Sequence, residues 1–310
     1  MPFALDSEVA AALAGLQAGD NGPETPAPRG DWQSRRALVN AMMAGLNSGQ
    51  PEHADVVRTD HQVGVPARWY APAGGGGGSA VVYLHGGGMI GSSVDHFDRT
   101  IAGYVADTGV PMLAVDYRLA PEHPHPTPVE DCYAGLTWLV EHAAELNVDP
   151  ARIAVMGDSA GGGLAAGTTL LARDRGLPVA RQILVYPMLD DRTTTDDPAL
   201  APFLGWSADD NYTGWHALLG DAAGGPEVSS YAAPARASDL SGLPPSYVEV
   251  GELDLFRDES VDYARRIAAA GASVELHVHP GCPHGFELIA PDSAVARRAR
   301  ADRLRVLKGF

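Results

Sequence analysis

Three groups of residues in this chain have the types and spacing needed to attack a carbonyl. The first centres on Ser159, in Gly157-Asp158-Ser159-Ala160-Gly161. This G-x-S-x-G pattern sits between a short apolar run ending at Met156 and a small-residue helical stretch with Leu164, Leu170 and Leu171. A serine exposed on a tight strand-to-helix turn needs small neighbours, and the helix starting there directs its N-terminal N–H groups to where an oxyanion would form. The second group is the base and its acid. A serine hydroxyl is a poor nucleophile until an imidazole takes its proton, and that imidazole needs a carboxylate to set its tautomer and stabilise its charged form. Of the eleven histidines, His53 and His61 precede the core sheet, His85 belongs to a glycine loop, and His123 and His125 follow a different strand ahead of the serine. His277 and His279 lie within a strand, while His96, His142 and His216 read as helical or cap positions. That leaves His284, on a tight loop after the last strand. For the acid, Asp254 and Asp258 compete: Asp254 lies four residues past a strand, and Asp258 reads as a first-turn helix residue explained by the dipole. The third group is His85-Gly86-Gly87-Gly88, straight after the strand Ala80–Leu84. Its glycines let the backbone approach a ligand and turn N–H groups toward it, which suits an oxyanion hole.

These groups are useful only if the chain brings them to one edge of a sheet. From Val81 to Val185 the pattern alternates: strand, helix at 94–108, strand at 111–115, helix at 128–146, the strand before Ser159, its helix, and a strand ending at Val185. Such alternation predicts a mainly parallel sheet with right-handed crossovers. It resumes with a strand at 246–250, a helix to Ala270, a strand at 274–279 and a final helix, so Asp254 and His284 follow strand ends as Ser159 does. Ahead of the core, strand-like runs flank Val63-Gly64, and the glycines at 74–78 read as a hairpin tip rather than a phosphate cradle, because a strand follows them. Arg118 and Glu122, in a proline-punctuated loop, read as a structural ion pair, and Asp158 as a loop-anchoring acceptor.

Two regions fall outside the alternation. Residues 5–19 and 31–47 read as helices joined by a turn-rich linker from Asn21 to Pro28. Residues 190–235 are rich in Asp, Thr, Gly and Pro and show short helical pieces but no strand. Together they predict a cap, giving four segments: an N-terminal helical part (1–50), a first core part (51–189), a cap insertion (190–235) and a second core part (236–310). The insertion's Trp206, Tyr212 and Trp215 either line an apolar substrate pocket or form the cap's own small core.

Composition narrows the function. The 310 residues carry 22 basic and 39 acidic side chains, a formal charge of −17, which argues against nucleic acid or an anionic membrane as partner. Cys132 and Cys282 form neither a disulfide framework nor a metal-ligand spacing. There is no basic stretch followed by an apolar core at the N-terminus and no run of membrane-span length, so a cytoplasmic, soluble protein is expected.

His85–Gly88, Asp116–Pro124, Gly157–Gly162, Asp254–Glu259 and His284-Gly285-Phe286 together resemble the bacterial hormone-sensitive-lipase-like carboxylesterases, the family IV lipolytic enzymes of the α/β-hydrolase fold. The resemblance runs from about residue 80 to the C-terminus. It implies a mostly parallel eight-stranded sheet flanked by helices, with a helical cap. It also implies a Ser159–His284–Asp254 triad, with the N–H groups of Gly87, Gly88 and Ala160 as oxyanion hole. Met89 stands where the family often has an aromatic beside the pocket, and Leu255 where a proline usually follows the aspartate. The N-terminal 50 residues carry no family motif. The expected function is a serine carboxylesterase acting on short- to medium-chain esters through an acyl-enzyme, with no metal or cofactor. An amidase or peptidase would use the same triad, and a non-catalytic ligand receptor is a third class on this fold. The last strand, Val274–His279, is an expected exposed edge through which two subunits could pair. Cys282 lies two residues before His284.

Overall fold

In the computed structural model, residues 3–18 and 27–310 are described. Most of the linker between the first two helices, residues 21–26, lies outside them. Helices α1 (Ser7–Ala18) and α2 (Trp32–Gly49) come first, and eight strands follow: β1 (Val56–Gln62), β2 (Pro66–Pro72), β3 (Gly78–Leu84), β4 (Met112–Val115), β5 (Val148–Asp158), β6 (Arg181–Val185), β7 (Ser246–Gly251) and β8 (Val274–His279). They form one sheet in the order β1-β2-β4-β3-β5-β6-β7-β8. Only the β1–β2 and β2–β4 pairings are antiparallel. All the others are parallel.

The central parallel strands, β3 to β5, are apolar on both faces because helices cover both. Alternation along β3 divides the core: Ala80, Val82 and Leu84 face one apolar cluster, Val81 and Tyr83 the other. The first cluster takes in Val129, Cys132 and Leu136 of α4 (Thr127–Glu141), the alanines and leucines of α5 (Ala160–Asp174), and Tyr263 and Ile267 of α7 (Arg257–Ala269). The second takes in Ile101, Tyr104 and Val105 of α3 (Asp98–Thr108) and Val306 and Leu307 of α9 (Ala294–Lys308). The crossovers thus return every β3–β8 strand in one direction, and the loops after β3, β5, β7 and β8 gather at one edge.

The region without strands holds α6 (Ala208–Leu219), opened by a capping box between Ser207 and Asp210, and short 3-10 turns. A short helix α8 (Phe286–Ile289) follows the loop after β8. Two expected helices are shorter than the sequence pattern suggests. Residues 94–97 form a 3-10 turn before α3, and α4 stops at Glu141, beyond which turns run to Asn147 in the left-handed region (φ 57°). Among the described residues no helix is long and apolar enough to cross a membrane.

Candidate active site

Ser159 lies between the last residue of β5 and the first of α5, with φ 57° and ψ −118°. A non-glycine residue there is strained, and the surroundings hold it: its N–H donates to Val185 O (2.9 Å), and its carbonyl accepts from Gly163 N (3.0 Å) and Met188 N (2.9 Å). The glycines of this turn answer to close packing. A Cβ on Gly161 would run into the carbonyl oxygens of Leu84 and His85. Helix α5 therefore sits against the end of β3 only because that position is bare.

The loop after β8 carries His284 to Ser159, and the loop after β7 carries Asp254 to His284. His284 Nε2 is 3.0 Å from Ser159 Oγ, and Nδ1 is 2.7 Å from Asp254 Oδ2. Asp254 is fully buried and its Oδ1 accepts from Phe256 N at 2.9 Å, which fixes the carboxylate plane. The rival Asp258 is solvent-exposed and pairs with Arg257. Burial opposes charging His284, but the Asp254 carboxylate, aided by Glu287 and Asp158, outweighs it and holds the imidazole pKa above its ordinary value. Asp158 hydrogen-bonds the Tyr83 hydroxyl, and burial pushes its own pKa up to about 7. It faces the same cleft as Ser159.

Beyond β3 the backbone turns through Gly87 (φ 127°) and Gly88 (φ 64°), conformations that favour glycine. Gly87 O accepts from Ile90 N (3.2 Å) and Gly91 N (3.0 Å), closing the turn. Among the described residues, the N–H groups of Gly87, Gly88 and Ala160 have no acceptor. His85 is a pillar of this loop: buried, its ring stacks on Tyr117 at 4.3 Å, while the Tyr117 hydroxyl donates to His85 O at 2.7 Å. Burial lowers its pKa, so it stays neutral.

The cleft above Ser159 is open at its mouth and mainly apolar. Trp206 lines it, its ring lying where a Cβ on Gly88 would be. Met89, Tyr212 and Trp215 do not line it. Met89 is fully buried in the core on the α5 side of the sheet, and so is Trp215. Tyr212 stacks on His216 at 3.6 Å with the Arg29 guanidinium 3.8 Å over its ring. The insertion's aromatics therefore divide, one to the pocket and two to packing. Leu255 is buried beside the core. Cys282 is buried in a separate cluster with Val9 and Phe286, and its thiol is pushed up to about 12 by burial.

Several wall residues went unassigned in the sequence. Val39, Met42, Met43 and Leu46 of α2 form much of one side, joined by Phe97, Tyr186, Leu288 and Ile289. The first four recur at i, i+3, i+4 and i+7, the stripe that marks a helix face turned to an apolar surface. The adjoining flank of α2 is bound to the glycine loop after β3. Arg36 donates to Ile90 O, to Ala120 O (2.8 Å) and to both oxygens of Glu122 (2.7 and 2.6 Å), and Asn40 Oδ1 accepts from Ser92 N at 2.7 Å. The expected Arg118–Glu122 pair is thus replaced: Glu122 pairs with Arg36, and Arg118 pairs with Asp131 at 2.7 Å. Outside the cleft, one ligand atom each of Glu275, His277 and Asp302 lies within 4.8 Å of the others, but Arg305 already pairs with both carboxylates.

Comparison with known proteins bears on this arrangement. The family described as alpha/beta hydrolase fold matches residues 81–288. Carboxylesterase NlhH of Mycobacterium tuberculosis is 40% identical over 245 residues, covering 75% of each chain. Carboxylic ester hydrolase LipN of the same organism is 38% identical over 270 residues, 83% of this chain and 70% of its own. Among solved structures, a bacterial heroin esterase superposes with a TM-score of 0.87 at 38% identity, covering 98% of this chain and 97% of the other. With the eight-stranded sheet, these findings make the protein a carboxylic ester hydrolase on the α/β-hydrolase fold. The chain belongs to the hormone-sensitive-lipase-like carboxylesterase family.

Proposed function

We propose that the protein is a serine carboxylesterase in which Ser159 is the nucleophile, His284 the general base and acid, and Asp254 the residue that orients His284. Ser159 Oγ attacks the ester carbonyl carbon as its proton passes to His284 Nε2. The resulting oxyanion is held by the N–H groups of Gly87, Gly88 and Ala160, each such donor being worth roughly 3 kcal/mol of barrier. Collapse expels the alcohol with the proton from His284, leaving an acyl-enzyme. Water, deprotonated by the same imidazole, then releases the acid. The hydrogen-bonded chain Ser159–His284–Asp254 is the observation that carries this reading.

The substrate is a small ester with a short to medium acyl chain. The N-terminal helices and residues 190–235 act as the cap that limits its depth, since α2 and Trp206 roof the cleft over Ser159. Hydrolysis of 4-nitrophenyl esters of two to twelve acyl carbons, compared with Ser159→Ala, tests both points. Activity that peaks at short chains and drops at least about 10⁴-fold in the variant is expected. Retained turnover in the variant would remove Ser159 from its role, and a rate rising steadily beyond about ten carbons would remove the depth limit. Edge strand β8, which exposes Leu276 and Val278, is our proposed pairing surface for a homodimer. Leu276→Arg should then halve the mass measured in solution, and a wild type already at monomer mass would rule the pairing out.

A further inference from the structure

Next to His284 lies a cluster of buried ionisable groups that the proposed reaction does not use. Glu287, three residues after His284 on α8, accepts from the Tyr186 hydroxyl (2.7 Å) and from Arg303 Nη1 (2.8 Å). Arg303 reaches in from α9 with 2% exposure, hydrogen-bonds Glu249 of β7 through Nε, and meets the Tyr104 hydroxyl at 2.9 Å. Glu249, fully buried, also accepts from the Tyr247 hydroxyl (2.6 Å) and lies 3.2 Å from His279 Nε2. Two carboxylates thus share one guanidinium, and among the described residues Glu287 Oε2 and Arg303 Nη2 have no partner. A buried ion group of this kind contributes little stability over an apolar substitute, so its retention calls for another reason.

Tyr186 links the cluster to the triad. It holds φ 35°, a strained value for a tyrosine, and its N–H donates to Glu249 O at 2.6 Å. Its ring stands edge-on to the His284 imidazole at 4.6 Å, while Phe256 meets that imidazole at 5.3 Å. The hydroxyl bond to Glu287 holds the strained tyrosine in place.

We propose that Tyr186 and Glu287 are positioning residues for His284: Glu287 locks the Tyr186 ring against the imidazole and adds a negative charge behind it that stabilises the imidazolium formed when Ser159 gives up its proton. This rests on the triad reading above. The charged groups acting on His284 are Asp254 from the loop after β7, Glu287 on α8 and Asp158 at the end of β5, while Arg303 from α9 pairs with Glu287 and carries the opposite sign. The pKa of His284 is raised with Glu287 and Asp158 among the causes, in keeping with that arrangement.

The test is the pH dependence of kcat and kcat/KM on 4-nitrophenyl butyrate for wild type, Glu287→Gln, Glu287→Asp and Tyr186→Phe, beside an NMR titration of the His284 imidazole in the resting protein. Removing the Glu287 charge should move the acid limb and the imidazole titration to lower pH by roughly 0.5–1 unit. Plateau kcat should fall about tenfold, with KM within about twofold. Glu287→Asp should restore part of the shift. Tyr186→Phe, which leaves the carboxylate–guanidinium contact intact, should lower kcat with a smaller movement of the limb. A folded Glu287→Gln with wild-type limb and kcat overturns the proposal. So does wild-type kcat in Tyr186→Phe, which decides the matter if Glu287→Gln does not fold. Should Ser159→Ala retain turnover, the triad reading fails and the imidazole titration alone judges this inference.

Discussion

At the residue scale, the site depends on opposing electrostatic effects around one imidazole. Desolvation disfavours the charged form of His284, and the carboxylate of Asp254 more than compensates. A base with a raised pKa is deprotonated, and therefore active, only at higher pH. The acid limb of kcat/KM is accordingly expected above about 6.5, the ordinary imidazole value, in a profile recorded on any neutral ester. Asp254→Asn should lower kcat by about 10⁴-fold by imposing the wrong tautomer. Asp258→Asn, altering an exposed carboxylate, should leave it unchanged. Comparing the two variants checks the choice of Asp254 over Asp258.

At the scale of elements, α2 does two things at once. Its apolar stripe walls the cleft, and its polar side ties down the loop that carries Gly87 and Gly88. Arg36→Gln should cost about 1–3 kcal/mol of stability in a denaturant titration, through lost charge-assisted bonds to Ile90 O, Ala120 O and Glu122. It should also reduce kcat more than it raises KM, because in the proposed mechanism the displaced N–H groups act on the transition state. Met43→Trp should fill part of the cleft and move the preferred acyl chain to shorter lengths, read from the same ester series. The stripe was legible as helix periodicity in the sequence. Its target was not, since periodicity tells that a face is buried without telling against what.

At the scale of the whole molecule, the sheet order brings loops 30 to 125 residues apart in sequence to one edge, and carboxyl groups are buried along the way. Glu259 is one of them. Burial raises its pKa to about 8, although Leu189 N (2.6 Å), Asp190 N (3.3 Å) and the Thr193 hydroxyl donate to it. A carboxyl whose pKa is higher folded than unfolded keeps its proton longer in the native state, so stability falls as pH rises toward the folded value. The loss accrues between the ordinary glutamate value of about 4.5 and the folded value of about 8, and flattens above it. A thermal midpoint that falls over this range in wild type and falls less in Glu259→Gln is the expected result. Equal slopes in the two proteins would place the pH dependence elsewhere.

The sequence by itself determined the strand–helix alternation, the parallel core, and the positions of Ser159, His284 and the Gly87–Gly88 turn. Each of these is written locally, as an apolar run, a small-residue turn or a polar residue just past a strand end. The tertiary structure alone decided which partners meet. It gave Glu122 to Arg36 rather than Arg118, turned Trp206 into the cleft while Met89 and Trp215 went to the core, and enclosed Glu287 and Arg303 behind the imidazole. Side-chain pairing across a fold depends on distances between segments far apart in the chain, and no local pattern records those distances.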